Sequence, residues 1–127
     1  MKRRIHSFKN AFRGIRMVIS SEKNMQIHLI VALLVVLAGL FFAISLTEWM
    51  LCLLCFGLVM GAETMNTAIE KLVDLASPQK HELAGKAKDM AAGAVLICAI
   101  FAATVGLIIF LPKVWMLIQV LISYFEG

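Results

Sequence analysis

The sequence predicts an all-α membrane protein, an N-terminal amphipathic surface helix plus three transmembrane helices, with residues 1–127 forming one domain. Two observations carry this. Hydrophobic residues make up 61% of the 127 residues and mean hydropathy is +0.91, more apolar side chain than so short a chain can withdraw from water. These residues also gather into three runs, Leu29 to Leu46, about Trp49 to Ile69 and about Ala91 to Leu111, each near the ~20 residues that cross ~30 Å of hydrocarbon. Backbone polar groups cannot stay unpaired in lipid, so the runs should be helices.

The stretch before them, MKRRIHSFKNAFRGIRMVISSEKN at about 1–24, is basic and amphipathic, with no apolar core followed by a small-residue cleavage site. Ile5, Phe8, Phe12, Ile15 and Ile19 recur at spacings of three and four, as on a helix lying in the membrane interface, where Arg4, Arg13 and Lys23 can reach acidic headgroups. Charge orients the spans. Lys2, Arg3, Arg4, Lys9, Arg13, Arg16 and Lys23 precede the first, Lys71, Lys80, Lys86 and Lys88 separate the second from the third, and Lys113 alone follows. The positive-inside rule places the N-terminus and the 70–89 segment in the cytoplasm, with a Ser45–Glu48 turn and the C-terminus outside. Trp49 and Trp115 fall at the expected outer aromatic belt.

The second span ends in GAETMNTAIEKLVD, residues 61–74. At about 100° per residue, Glu63, Asn66, Thr67, Glu70 and Asp74 share one face, and Glu63 lies about 16 Å deeper than Asp74. A carboxylate at that depth costs a few kcal/mol unless it faces protein, water or a cation, which marks a functional site. Interhelical hydrogen bonding explains one such residue well and four aligned acidic or amide residues poorly. Beyond the stripe, SPQKHELAGKAKDMAAGAV should open a new helix with Ser77 as N-cap and Pro78 at the first helical position. His81, Gly85 and Lys88 then share a face. Opposed to the carboxylates, they could hold a polyphosphate with Mg²⁺, which takes one or two carboxylates plus phosphate oxygens and water. No G-x-x-x-x-G-K-[ST] or G-x-G-x-x-G occurs, so no soluble nucleotide fold is expected.

ETMNTAIEKLVD followed by HELAGKAKDMAAGAV resembles the paired signature of the small bacterial diacylglycerol kinases, integral membrane lipid kinases that include undecaprenol kinases. The resemblance covers nearly the whole chain. It implies a multi-pass enzyme of the bacterial cytoplasmic membrane, a homotrimer with shared active sites facing the cytoplasm, moving the γ-phosphoryl of ATP to a lipid hydroxyl with Mg²⁺. By position it implies Glu63 as catalytic base, Glu22 and Glu70 as metal-binding carboxylates, and Asn66 beside the base. Lys88 and Asp89 match a pair near the phosphates, and His81, Gly85, Asp74, Gly14 and Arg3 match the nucleotide pocket. Asn10 stands where the best-known branch has an aromatic residue, and Lys86 replaces an Arg, keeping charge without a bidentate fork.

Several features invite plainer readings. Cys52 and Cys55 lie in an apolar helix with no nearby His, and with Cys98 they read as packing residues without a disulfide. Gly57 and Gly61 allow a close helix contact, as do the small residues Ala91, Ala92, Gly93 and Ala94. His28 reads as an interfacial residue with satisfied hydrogen bonds. A small multidrug transporter would want its carboxylate near the midplane and would not need His81 and Lys88. A purely structural subunit leaves the acidic stripe unexplained, and the pI of 9.2 reflects topology and anionic lipid rather than nucleic acid. Three spans and one surface helix also cannot shield the stripe from lipid on all sides, which favours an oligomer. Among lipid alcohols, undecaprenol is favoured over diacylglycerol because GLIIFLPKVW (106–115) and EKNMQIH (22–28) resemble the Gram-positive branch. Asn66 and Arg13 are the candidates for further contact with that lipid.

Overall fold

The computed structural model describes Met1–Gly127 and consists of helices α1 (Lys2–Ser21), α2 (Lys23–Phe42), α3 (Leu46–Ala76) and α4 (Glu82–Glu126). α2, α3 and α4 are each long and apolar enough to cross a membrane. α3 and α4 pack along one another, α2 lies against α3, and α1 reaches the α2–α3 pair. The apolar residues Ile5, Phe8 and Phe12 of α1 are exposed in the single chain.

The helix boundaries differ from the periodicity at several places. α1 stops before residue 24 because Glu22 is extended, with φ −101° and ψ 115°. The chain therefore turns there, and α2 begins at Lys23, not Leu29, so its first turns lie beside α3 instead of continuing the surface helix. α2 also ends early, at Phe42. Ala43 takes the left-handed region at φ 49°, the Ala43 N–H reaches the Leu40 carbonyl, and the Ile44 N–H reaches the Gly39 carbonyl at 3.1 Å. That pattern closes a helix with a Schellman motif. The turn is thus Ala43–Ser45, ahead of the expected Ser45–Glu48. Ser45 instead caps α3: its Oγ accepts from the Glu48 N–H at 3.2 Å, and Glu48 Oε1 accepts from the Ser45 N–H at 3.0 Å, a reciprocal capping box.

At the other end α3 continues past Ile69 to Ala76. Ser77, expected to cap the next helix, closes this one: its N–H bonds to the Val73 carbonyl at 2.8 Å, and its φ −139°, ψ 81° suits a residue that Pro78 excludes from helical geometry. The N-cap of α4 is His81, whose Nδ1 accepts from the Leu83 N–H at 3.1 Å. α4 then runs 45 residues through Pro112, about 67 Å at 1.5 Å per residue, well beyond the hydrocarbon thickness of ~30 Å. Lys113 Nζ donates to Glu48 Oε2 at 2.8 Å, tying α4 to the first turn of α3.

The interior is small. Ile44, Cys52 and Ile109 are buried together, with Val35, Phe42, Trp49, Phe56, Val105 and Phe110 around them, and the three cysteines are free. Large residues such as Leu33, Leu54 and Phe101 are exposed, as suits surfaces covered by lipid or another protein. Gly57 and Gly61 do not mediate contact within the chain, since a Cβ at either meets nothing within 4 Å. Gly39 does: a Cβ there would lie 2.6 Å from the Trp49 ring. Gly39→Ala should therefore lower stability by about 1–3 kcal/mol through forced displacement of the indole, measurable as a lower thermal unfolding midpoint in detergent.

Candidate active site

Two polar regions lie along the cytoplasm-predicted half of α3. The deeper one is built on Glu63, which is 2% exposed, and on Thr67 and Asn66, 2% and 6% exposed. Helical spacing puts them on one face, and packing of α4 and α2 against that face removes them from the surroundings. Thr67 Oγ1 donates to the Glu63 carbonyl at 3.0 Å, so the hydroxyl satisfies itself locally. Asn66 Nδ2 donates to Glu70 Oε1 at 3.2 Å, fixing the amide. Asn66 Oδ1 is buried without a hydrogen-bond partner, and buried polar atoms are otherwise nearly always paired. An acceptor is thus presented beside Glu63 with nothing to accept from.

His28 of α2 faces Glu63, Nε2 to Oε2 at 3.7 Å, just outside hydrogen-bonding distance. Both line a chamber of about 270 Å³, open to one side, with Asn24, Asn66, Ala92 and Ala99 among others. Glu70 is joined to this region through Asn66. Glu22 is half-exposed at the α1–α2 junction and does not line this region.

The second region is a cleft of about 460 Å³ at the α3–α4 connection, lined by Asp74, Ser77, Lys80, His81, Gly85 and Lys88 among others. Lys88 forms an ion pair with Asp74. Because His81 Nδ1 accepts the Leu83 N–H, its neutral form carries the proton on Nε2 and can donate there. The expected face of His81, Gly85 and Lys88 is thus present, though His81 enters as the cap of α4. Such a cleft, with a Lys charge, an imidazole donor and a glycine without a side chain, can accommodate phosphate oxygens.

The remaining sequence candidates lie elsewhere. Arg3, Asn10 and Arg13 are exposed on α1, Gly14 is half-exposed there, and Asp89 is exposed on α4; none lines either region. Lys86 pairs with Glu82 at 3.4 Å on the outer side of α4. His28, read from the sequence as interfacial, and Asn24 join the chamber. The signal for His28 was its place one turn inside an apolar helix, but its partner is 35 residues away and only tertiary packing joins them. No three ligating side chains converge to form a metal cage in the single chain.

The chain is 42% identical to the undecaprenol kinase of Bacillus subtilis over 89% of its own length and 92% of that protein. It is 39% identical to a diacylglycerol kinase of Synechocystis over 84% of its length and 61% of that protein. A diacylglycerol kinase of Escherichia coli is 34% identical over 72% of this chain and 75% of that protein. Residues 9–110, which contain both polar regions, match the family model for prokaryotic diacylglycerol kinase. With three helices fit to cross a membrane and a match over most of its length, the chain belongs to the prokaryotic diacylglycerol kinase family and is a membrane-embedded lipid kinase.

Proposed function

We propose that the protein transfers the γ-phosphoryl of MgATP to the hydroxyl of undecaprenol, with both polar regions on the cytoplasmic side of the membrane. The observation that carries the reading is the buried Glu63 carboxylate beside the unpartnered Asn66 Oδ1. A lipid hydroxyl has one hydrogen, which it would give to Asn66 Oδ1 on entering and to the Glu63 carboxylate on reacting. Phosphoryl transfer needs in-line positioning and charge neutralisation more than covalent participation by the protein. Glu63 takes the proton of the attacking hydroxyl, Asn66 positions it, and Lys88, on releasing Asp74, meets phosphate charge. Depth separates the substrates: ATP enters the water-facing cleft, and the alcohol enters from the bilayer.

Glu70 and Glu22 fit Mg²⁺ as oxygen donors, since Glu70 is oriented by Asn66 and an ion arriving with phosphates needs only one or two protein carboxylates. When bound, the ion would neutralise developing charge on the phosphoryl group. We assign the α1 stripe of Ile5, Phe8, Phe12 and Ile15 to the cytoplasmic membrane interface. We also propose a homotrimer, because Asp89, Arg3 and Asn10 stand outside the chain's own clefts and another copy is needed to bring them to a site. Undecaprenol is preferred to diacylglycerol on the 42% identity to an undecaprenol kinase.

Two measurements test this reading. ADP release by purified protein in mixed micelles should depend on added undecaprenol, and lipid-independent turnover of the same size would contradict it. For sidedness, single cysteines at Gln79 and Gly127, in a chain lacking Cys52, Cys55 and Cys98, should label from opposite faces of sealed vesicles. Labelling of both from one face would reverse the topology.

A further inference from the structure

An apolar groove of about 240 Å³ runs between α2, α3 and α4, and it shares His28 and Ala99 with the Glu63 chamber. We propose that this groove holds the proximal part of the lipid substrate's hydrocarbon tail, with His28 and Ala99 forming the neck between hydroxyl and chain. The proposal rests on the lipid kinase reading above and goes beyond it by locating the tail.

Of the 14 lining residues 12 are hydrophobic; His28, at the neck, is the polar exception, and Gly106 is the other. Each helix contributes two turns: His28 to Val35, Val59 to Cys52 and Ala99 to Gly106, a run of about 10 Å. On α3 this run points from the level of Glu63 into the membrane, the course a tail must take when its hydroxyl is held at Glu63. The space arises because α4 presents Ala99, Ala102, Ala103 and Gly106 along it, side chains too small to fill it. An apolar cavity of this kind gives water no hydrogen bonds, whereas a hydrocarbon chain recovers the missing dispersion contacts. Any membrane lipid could offer such a chain, but for the substrate both ends are satisfied by one molecule. A single-chain alcohol places its whole tail root in the groove; a glyceride with two chains must leave one outside.

Gly106 provides the test, because a Cβ built there meets nothing within 4 Å, so a larger side chain enters open space at the deep end. Gly106→Leu should lower kcat/KM for undecaprenol by about tenfold or more, with KM for MgATP and the oligomeric state by chemical cross-linking unchanged. In parallel, a polyprenol carrying a diazirine near its hydroxyl end should cross-link to groove residues such as Phe56 and Ala102, and excess undecaprenol should suppress this. Unchanged kcat/KM in the variant would overturn the proposal, as would cross-links confined to outward-facing residues such as Leu58 and Leu107. Loss of the oligomer in Gly106→Leu would overturn it in favour of a helix from another copy in the groove. Absence of lipid-dependent ATP turnover in the wild type would sink the kinase reading itself, while the cross-linking map would still decide what occupies the groove.

Discussion

Glu63→Gln is expected to lower kcat by about 10²- to 10⁴-fold, the usual contribution of a positioned general base, while MgATP binding persists. The amide is nearly isosteric and can still occupy the space beside His28, so the chamber should keep its shape, but it cannot take a proton from the lipid hydroxyl. Glu70→Gln should behave differently. Glu70 accepts from Asn66 and lies two turns nearer the water, so its loss should weaken Mg²⁺-dependent nucleotide binding and release the Asn66 amide. KM for MgATP should rise in Glu70→Gln and stay near the wild-type value in Glu63→Gln. Near-wild-type turnover in both would mean that the acidic face of α3 is not the reaction site.

The second large effect concerns how many chains build one site. Glu63 and Glu70 stand on one face of α3, with Glu70 held by Asn66 beside Glu63, so they belong to one half of the machinery. Asp89, next to Lys88, is exposed and lines neither polar region. If Asp89 takes part in transfer, it must serve the site of another copy. Glu63→Gln and Asp89→Asn chains should each be nearly inactive alone, and oligomers formed from a mixture should regain activity, because some interfaces pair an intact Glu63 with an intact Asp89. Demonstrably mixed oligomers without any recovered turnover would show that each chain works by itself.

Much of this arrangement was legible in the sequence, for physical reasons. A membrane imposes length and hydropathy on every span, so the number of spans and the class of fold follow from composition. Glu63, Asn66, Thr67, Glu70 and Asp74 lie on one uninterrupted helix, and helical geometry alone aligns them. The breaks were harder. No Gly or Pro marks the turn at Glu22, and the chain bends there because α2 packs beside α3, a tertiary effect that periodicity cannot report. Ser77–Pro78 carries the signature of a helix start, yet α3 extends far enough to use Ser77 as its end. The His28–Glu63 approach and the groove beneath it join residues from separate spans, which no local pattern connects. The length of α4 beyond Pro112 was hidden for another reason: proline in an apolar run reads as a stop, but the helix passes through it.

On the proposed mechanism a buried carboxylate at the membrane boundary directs ATP's terminal phosphoryl to a lipid alcohol. The most direct test follows the label of γ-labelled ATP into extracted lipid, with undecaprenol and diacylglycerol supplied at matched surface concentration. Label should enter the lipid phase as undecaprenyl phosphate, at a kcat/KM no lower than for diacylglycerol, and Glu63→Gln should abolish it. A preference for diacylglycerol of tenfold or more, ~1.4 kcal/mol in transition-state stabilisation, would reverse the assignment of substrate, and label that never leaves the aqueous phase with either lipid would contradict the account.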